Sequence, residues 1–499
     1  MNDINYKMPI LLIGNSFKYE TEATLKLFFH TARFTFYDDP ESVDISSGDF
    51  AMLSVSGDDG RELSVRVRLN DISDSRSCIL PADADIRTQE HELCRLLYHI
   101  LSDITGIVPP WGLMTGIRPV KKVTELMQQG LSREDIEDTL TKRYELSPAK
   151  LNLAYETAAN QLPILDKIDS SAVSLYVSIP FCPTRCSYCS FVSHSMASAI
   201  KLMPEYIAAL CRELEITGDM VRRTGTKVDT IYFGGGTPTS ISADDLRTVM
   251  DCVQRSFDLD TVREYSVEAG RPDTITEEKL RVIKDYGAGR ISVNPQTLND
   301  DVLRVIGRKH SGEDFMRAFE TARKIGFTNI NTDLIAGLPT ESADSFRYTL
   351  DHIIDLDPES ITVHTLTIKR SAELFAQGGD YTGSPVAEMV DYSIDKLISC
   401  GYLPYYMYRQ KNTVDNLENV GYAKPGFESC YNIFIMDETQ TILGAGCAAS
   451  TKLVYPGGKL IRIHNYKFPY EYISRFDQLM EKKKEAEECL RKINAMKQR

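Results

Sequence analysis

A sequence of 499 residues is long enough for two or three domains, each with its own hydrophobic core. Hydrophobic residues make up 42% of it, which is typical of a folded globular protein and argues against extended disorder. The formal net charge of −14 argues against general nucleic-acid binding, because that function requires a basic surface. An anionic ligand would therefore have to be bound by a few specific Arg, Lys or His side chains.

Residues 1–165 are predicted to form a small α+β domain of unknown role. The stretch FAMLSVSGDDGRELSVRVRL alternates in hydrophobicity around Asp59-Gly60, which predicts a β-hairpin. RTQEHELCRLLYHILSDITG has apolar residues at helical spacing, and Ser132 is a candidate N-cap for a further helix. The first residues, MNDINYKMPILLIGNSF, contain an apolar run too short for a signal peptide or a membrane span, so we expect a cytoplasmic protein.

Between these two helices lies PPWGLMTGIRPVKKV, which contains the only tryptophan, Trp111, and a basic group that includes Arg118. The segment is either a contact surface or anion site, or a structured turn before a helix with solvated basic residues. The second interpretation is favoured.

Residues 170–380 repeat a pattern of short apolar strands separated by amphipathic helices. The predicted strands are SLYVSIP, DTIYF, EYSVE, RISVN, NINTDLI and SITVHTL. Six β/α units in a row predict a parallel sheet curved toward a barrel, with ligands at the carboxyl ends of the strands. Residues 381–499 are predicted to form a region that covers the substrate: a helix, then irregular Tyr- and Gly-rich sequence, then a solvated, charged terminal helix.

Cys182, Cys186 and Cys189 follow the first strand of this repeat with the spacing CxxxCxxC. A loop this short turns three thiolates toward one centre. Structural zinc usually has four ligands, often as two CxxC-like pairs, and a disulfide would leave one cysteine over. Three thiolates on a 4Fe–4S cluster leave one iron open for the amino and carboxylate groups of S-adenosylmethionine (SAM). The other eight cysteines are scattered, as is typical of free thiols in a reducing compartment.

Further candidates for ligand binding follow the next strands. GGGTP, residues 234–238, comes directly after the second strand, and successive glycines let the backbone approach a ligand closely. Glu268, Gln296 and Asp333 lie at or near the ends of later strands, where carboxylate and amide groups suit ribose hydroxyls and an ammonium group.

The cysteine motif resembles that of the radical SAM enzymes, and YVSIPFCPTRCSYCSF resembles the version in their oxygen-independent coproporphyrinogen III oxidase/dehydrogenase branch. The resemblance extends over residues 172–475 and includes YFGGGTPT, VEAGRPDT, RISVNPQTLNDDVLRVIGRKH and NTDLIAGLPTES. It implies an α/β fold with a partial (β/α)6 radical SAM barrel, an N-terminal α+β domain and a C-terminal extension. The implied cofactors are a 4Fe–4S cluster and SAM.

The resemblance also implies roles for individual residues. Cys182, Cys186 and Cys189 match the cluster ligands, and no catalytic side chain is expected beyond the cluster and cofactor. The positions that match SAM contacts are Tyr176, Gly235, Gly236, Thr237, Glu268, Gln296, Arg308, Asp333, Ile335 and Gly337. Candidate contacts to an anionic substrate are Arg118, Lys369, Arg370, Arg409 and Lys411.

Two functions from different classes remain open, and radical chemistry on another substrate is a third. Some coproporphyrinogen-oxidising members carry a fourth cysteine where this chain has Phe191, and members with an aromatic residue there include haem chaperones. Those chaperones typically have a His-Asn pair in place of Tyr431-Asn432, although His464 is another possible haem ligand. MTGIRPVKK and the C-terminal segment resemble HemZ-type coproporphyrinogen dehydrogenases instead.

The resemblance thus implies oxidative decarboxylation of coproporphyrinogen III to protoporphyrinogen IX by a 5'-deoxyadenosyl radical, and the alternative is a haem-binding or haem-transfer protein. The expected partners are a tetracarboxylate porphyrinogen, an electron donor and an electron acceptor. We expect a monomer with no nucleic-acid partner.

Overall fold

The structure is a computed structural model that describes residues 7–497 except 31, 58–59, 117, 192, 370, 378–384 and 411–412. In these residues, no helix combines the length and the apolar composition needed to cross a membrane. The secondary structure is grouped around a five-stranded sheet near the N-terminus and an eleven-stranded sheet in the rest of the chain.

The N-terminal sheet has helices packed on one face. Its elements are β1 (Lys7–Ile13), α1 (Lys18–Leu25), β2 (Arg33–Tyr37), β3 (Phe50–Ser56), β4 (Glu62–Leu69), β5 (Ile72–Ile79) and α2 (Ile86–Thr105). The strand order is β2-β1-β3-β4-β5, with β1 parallel to both of its neighbours. Every second residue of β4 is buried with the apolar face of α2.

The predicted hairpin is formed by β3 and β4, because Ser56 pairs with Glu62 in an antiparallel register. Asp59 itself lies outside the described residues. The predicted helix cap is also present, since Ser132 accepts a hydrogen bond from the backbone N–H of Asp135.

Three helices connect this sheet to the larger one. They are α3 (Pro119–Gln128), α4 (Arg133–Tyr144) and α5 (Pro148–Leu165). Their apolar side chains belong to the same hydrophobic cluster as the strands of the larger sheet. Trp111, in the turn before α3, is buried and donates its indole N–H to Glu418 Oε2 at 2.7 Å. The domain boundaries at 165 and 380 stay a prediction.

The larger sheet contains the six predicted β/α strands. Its first part consists of β6 (Ala172–Ile179), β7 (Phe181–Cys182), β8 (His194–Ser195), α6 (Met196–Ala199), α7 (Met203–Thr224), β9 (Lys227–Gly235), α8 (Ala243–Ser256), β10 (Glu264–Gly270), α9 (Glu277–Asp285), β11 (Arg290–Val293), α10 (Asp300–Val305), α11 (Gly312–Ile325), β12 (Ile330–Ala336), α12 (Ala343–Asp355), β13 (Ser360–Thr365), α13 (Glu373–Gln377) and α14 (Val386–Ser399). β6 and β9 to β13 are mutually parallel neighbours, and the short strands β7 and β8 pair separately in the cysteine loop. The predicted partial barrel is confirmed.

The C-terminal part extends both edges of this sheet. It consists of β14 (Leu403–Arg409), β15 (Glu418–Ala423), α15 (Cys430–Asp437), β16 (Ile442–Ala445), β17 (Ser450–Val454), β18 (Leu460–His464), α16 (Pro469–Ser474) and α17 (Phe476–Lys497). The order is β14-β15-β13-β12-β11-β10-β9-β6-β16-β17-β18. The expectation of irregular sequence in this part is wrong, because β15 and β16 pair with the edge strands β13 and β6, and the Tyr-rich β14 pairs with β15.

The terminal helix α17 is also more buried than expected. Leu479, Leu490 and Ile493 lie on its buried face. Lys483 on the same face forms a 2.8 Å ion pair with Glu213 of α7, and both side chains are almost fully buried. The expectation of a solvated helix is therefore wrong for this face, which a helical apolar stripe orients toward the core.

Helix α15 begins at the amino end of the barrel strands. Glu264, the first residue of β10, accepts hydrogen bonds from the Cys430 N–H at 2.5 Å and from the Ser429 hydroxyl at 2.8 Å. The next residue of the helix, Tyr431, stacks on Tyr232 of β9 with ring centroids 4.3 Å apart. Tyr431 is therefore part of the packed interior of the protein and not of its surface.

Candidate functional site

The cysteine loop follows the carboxyl end of β6, and backbone hydrogen bonds connect it to two other β/α connections. The Ser187 N–H donates to the carbonyl of Ile306, after α10, at 3.1 Å. The Ser187 carbonyl accepts from the Leu374 N–H of α13 at 3.0 Å. Within the loop, the Cys189 N–H donates to the Cys186 carbonyl at 3.0 Å. These backbone bonds position the loop across several β/α connections of the barrel.

All three thiols of the loop are free, and polar groups approach them. Cys182 Sγ lies 3.5 Å from Thr237 Oγ1, and the Arg271 guanidinium donates to Cys186 Sγ at 3.9 Å. Burial raises the pKa of Cys182 and Cys189 above its ordinary value. Ligation to a positively charged centre would offset this cost, because a thiolate and not a thiol binds metal.

The donor set fits an iron–sulfur cluster. Three free thiols lie on one short loop, Cys186 is buried, and the neighbouring Ser187 hydroxyl is buried without a hydrogen-bond partner. No group of three or more His, Cys, Asp or Glu side chains in the described ranges is arranged to hold a single metal ion. Three thiolates on one loop are the ligand type that an iron–sulfur cluster takes.

The glycines after β9 let this loop lie against the end of β6. A Cβ on Gly236 would lie 2.5 Å from the Phe181 carbonyl oxygen, and Gly235 has a φ of +113°. A Cβ on Gly234 would lie 3.2 Å from both the Tyr176 ring and a Glu268 oxygen. The backbone of the glycine loop therefore borders both the cysteine loop and the barrel interior, which side chains larger than hydrogen would prevent.

Glu268 lies in the barrel interior next to the tyrosines. The Tyr232 hydroxyl donates to Glu268 Oε1 at 2.5 Å, and Tyr176 stacks on Tyr232 at a centroid distance of 6.3 Å. Burial raises the pKa of Glu268 to about 7, and the Tyr232 hydrogen bond opposes this effect. The carboxyl group is thus held in surroundings that favour its neutral form until a cationic ligand approaches.

Asp333 remains ionised in the same interior. Burial acts to raise its pKa, but the hydrogen bond and charge of His364 and the bond from Asn331 outweigh this effect and lower the pKa. Asn294 Nδ2 donates to Asp333 Oδ2 at 2.8 Å, and His364 Nε2 lies 3.9 Å from the same oxygen. The Tyr408 hydroxyl lies 3.3 Å from His364 Nδ1. Two carboxyl groups with opposite pKa shifts therefore lie at one end of the barrel.

Gln296 and Ile335 form a backbone bridge between neighbouring strands. Gln296 has a φ of +70°, and its carbonyl accepts from the Ile335 N–H at 3.1 Å. The backbone of Gln296 is thus held in the left-handed region, as is common at functional sites. Gly337 follows with a φ of +87°, where a Cβ would lie 2.5 Å from the Val386 side chain.

Arg308 approaches the cysteine loop from the connection after α10. Its Nη1 donates to the Asn294 carbonyl at 2.6 Å and its Nη2 to the Tyr188 hydroxyl at 3.2 Å. Its Nε is buried without a partner. The Arg308 charge also interacts with the Cys186 sulfur, which places the guanidinium beside the cysteine loop.

The predicted substrate contacts are not all near this site. Lys369 is half-buried with the Cys189 sulfur nearby, and burial lowers its pKa. Arg118 instead pairs with Glu438 at 2.7 Å, before the amino end of β16, which is the opposite end of the parallel strands. Arg370 and Lys411 lie outside the described residues.

Arg409 lies on the outer face of the barrel. It is buried beside Trp111, donates to the Met114 carbonyl and lines a cavity of about 270 Å³ that α1 closes. Burial lowers its pKa to about 10, although the charge of Glu418 opposes this effect. Its contacts link it to the N-terminal region and not to the cysteine loop.

Four residues of the site were not predicted from the sequence. Asn294 and His364 hold Asp333, Tyr232 holds Glu268, and Arg271 contacts the cysteine loop. Asn294 and His364 carried a weak signal, because each lies at or near the carboxyl end of a predicted strand. Tyr232 and Arg271 carried none, because Tyr is common in strands and Arg271 is part of an ordinary turn.

A comparison with protein families identifies the class of protein to which the chain belongs. Residues 176–353 match the family described as the radical SAM superfamily, and the match begins in β6 and ends in α12. Together with the partial barrel and the three-cysteine loop, this match defines a radical SAM protein.

Two relatives in Bacillus subtilis narrow the assignment. The oxygen-independent coproporphyrinogen-III oxidase-like protein HemZ is 42% identical over 393 residues, which cover 77% of this chain and 78% of HemZ. The heme chaperone HemW is 34% identical over 284 residues, 55% of this chain and 69% of HemW. The chain belongs to the HemZ-like family of the radical SAM superfamily. Its cofactors are accordingly a 4Fe–4S cluster and SAM.

A solved structure shows the same fold. The coproporphyrinogen III oxidase HemN from Escherichia coli matches with a TM-score of 0.50 and 24% identity, over 64% of this chain and 72% of HemN. At 24% identity, the similarity between this chain and HemN shows a shared fold only.

Proposed function

We propose that the chain catalyses the oxygen-independent oxidative decarboxylation of two propionate groups of coproporphyrinogen III, which gives protoporphyrinogen IX in haem biosynthesis. The observation that supports this proposal most is the 42% identity with HemZ, which covers 77% of the chain and therefore extends well beyond the barrel. A cofactor motif by itself does not specify a substrate.

The residues of the site are assigned roles in binding and positioning. Cys182, Cys186 and Cys189 would hold the cluster, and the glycine loop would hold the methionine moiety of SAM. When bound, the reduced cluster and SAM would supply a 5'-deoxyadenosyl radical able to take a hydrogen atom from the β-carbon of a propionate. Loss of carbon dioxide and transfer of one electron to a separate electron acceptor would then leave a vinyl group.

The carboxyl groups of the interior suit the charges of SAM. The ionised Asp333 is held by three polar neighbours and would accept hydrogen bonds from ribose hydroxyls or an ammonium group. Glu268, whose pKa burial raises to about 7, would ionise when the cationic ligand binds near it. The stacked tyrosines below them fill the interior and exclude water from the reacting groups.

Lys369 is the proposed contact for a substrate carboxylate. It lies near Cys189, at the end of the barrel where substrate and cofactor must meet, and it is half-buried. A partly desolvated ammonium group forms stronger hydrogen bonds to a carboxylate than an exposed one does. Replacing Lys369 by Met should therefore weaken substrate binding more than cofactor binding.

The proposal is tested by anaerobic incubation of the reconstituted protein with coproporphyrinogen III, SAM, a reductant for the cluster and an acceptor for the electron released from the substrate. Protoporphyrinogen IX, carbon dioxide and 5'-deoxyadenosine should accumulate together, with two molecules of carbon dioxide for each porphyrinogen converted. Formation of 5'-deoxyadenosine with no decarboxylated product would overturn the proposal.

A haem-binding role is the second candidate, and the 34% identity with the heme chaperone HemW favours it. Titration of the protein with haem separates the two functions. Stoichiometric, tight binding without turnover of coproporphyrinogen III would support the chaperone role. In this chain the interior position of Tyr431, stacked on Tyr232, offers no imidazole to the iron.

A further inference from the structure

Arg271 connects the end of β10 to the cysteine loop. The residues just before it form an irregularity in the pairing of β10 with β11, between Glu268 and Gly270, where Gly270 has a φ of +68°. Such an irregularity changes the direction of the side chains on either side of it. Glu268 therefore points to the barrel interior, whereas the Arg271 side chain extends to the cysteine loop.

The guanidinium of Arg271 uses each of its nitrogens. Nε and Nη2 donate to the two carboxylate oxygens of Asp273 at 3.0 and 2.8 Å. Nη1 donates to the Thr184 carbonyl and hydroxyl, both at 2.9 Å, and to Cys186 Sγ at 3.9 Å. Arg271 is only 3% exposed, so this cation is fixed beside the sulfur and shielded from solvent.

This geometry has two effects on a cluster held by Cys186. The two bonds to Thr184 fix the backbone of the cysteine loop two residues before the ligand. The donor and positive charge beside the sulfur stabilise the reduced cluster more than the oxidised one, because reduction adds a negative charge. Asp273 orients the guanidinium and partly balances its charge.

We propose that Arg271 is a positioning residue for the cluster, which holds the cysteine loop at Thr184 and raises the reduction potential of the cluster through Cys186. Asp273 acts in the opposite direction on the potential while it keeps Arg271 in place. This role does not depend on which substrate the enzyme acts on, because it concerns the cluster alone.

The test is a redox titration of the reconstituted full-length protein, followed by the EPR signal of the reduced cluster. In R271Q the ratio of reduced to oxidised cluster at a fixed potential should fall about tenfold, as expected for the loss of a charge-assisted hydrogen bond. R271K keeps the positive charge but loses the planar set of guanidinium donors, so the reduction potential of its cluster should lie between those of R271Q and the wild type. D273N removes the balancing charge and should raise the potential.

Iron retention gives a second readout. With a chelator present, R271Q and R271K should lose iron about 10-fold faster than the wild type, because neither fixes the loop at Thr184. The matched control is R290Q, at another buried arginine that binds Asn329 and the Phe427 carbonyl at the amino end of the strands. R290Q should leave the potential unchanged.

R271Q should lower the reduction potential of the cluster and D273N should raise it, and this opposition distinguishes the proposed role from a merely structural one. If R271Q has the wild-type potential, or if D273N shifts the potential in the same direction as R271Q, the proposal is wrong. Should R271Q fail to fold, R271K and D273N still decide the matter, because both keep a charged or polar group at their positions.

Discussion

Replacing Glu268 by Gln should remove a pH dependence of stability that burial creates. Burial raises the pKa of this carboxyl from 4.5 to about 7, so the folded protein binds more protons than the unfolded one between these values. The free energy of unfolding therefore falls as the pH rises through this window and is constant, as far as this group is concerned, above it. Gln keeps an acceptor for the Tyr232 hydroxyl but cannot ionise.

The magnitude follows from the two pKa values. The difference between the folded and unfolded pKa values corresponds to about 3 kcal/mol of stability. Glu268 is partly exposed to solvent inside the barrel, and screening by this solvent reduces the effect to about 2 kcal/mol. The SAM-free E268Q protein should therefore gain about 2 kcal/mol relative to the wild type between pH 4.5 and pH 7. Urea unfolding, followed by circular dichroism at several pH values, measures this difference.

A matched control is Glu341, whose pKa burial also raises to about 7 while Thr297 and Ser345 donate hydrogen bonds to it. E341Q should show a stability change of the same sign in the same window. E268Q should also weaken SAM binding, measured by calorimetry on the cluster-loaded protein, whereas E341Q should not. Parallel pH profiles for E268Q and the wild type between pH 4.5 and pH 7 would refute the reasoning.

Three further outcomes are expected. C186A should lose most of its iron and all cleavage of SAM, whereas C252A, at a buried cysteine of α8, should keep both; elemental analysis and 5'-deoxyadenosine formation measure this. K369M should raise the KM for coproporphyrinogen III about tenfold with little change in SAM affinity, whereas K324M, on the exposed face of α11, should not. E418Q should lower the free energy of unfolding by about 2 kcal/mol, because the buried Lys150 would lose its 2.7 Å ion pair with Glu418 and keep only the 3.1 Å pair with the more exposed Asp391. E438Q, in a more exposed pair with Arg118, should cost under about 1 kcal/mol.

The barrel was predictable because its signals are local. Strand β6 and strands β9 to β13 are short apolar runs bounded by turn residues, and amphipathic helices lie between them. Parallel strands joined by helices then bring their carboxyl ends together, which is why the sequence predicts Glu268, Gln296 and Asp333 at one end of the barrel.

The missed features depend on pairings that no local pattern contains. β15 pairs with β13 and β14 pairs with β15, while β16 to β18 extend the sheet from β6 at its other edge. Arg271 makes its contacts with a loop 87 residues earlier in the chain. His364 lies near the carboxyl end of the run SITVHTL, but only the register of β12 and β13 brings it to Asp333.

The strand β14 joins the N-terminal region to the interior of the barrel. Neighbouring residues of a strand point to opposite faces, so Tyr408 reaches His364 inside the barrel while Arg409 packs on Trp111 outside it. Trp111 in turn donates to Glu418 of the paired strand β15. A displacement of the turn that carries Trp111 would therefore act on the strand pair β14 and β15, and through Tyr408 on the position of His364.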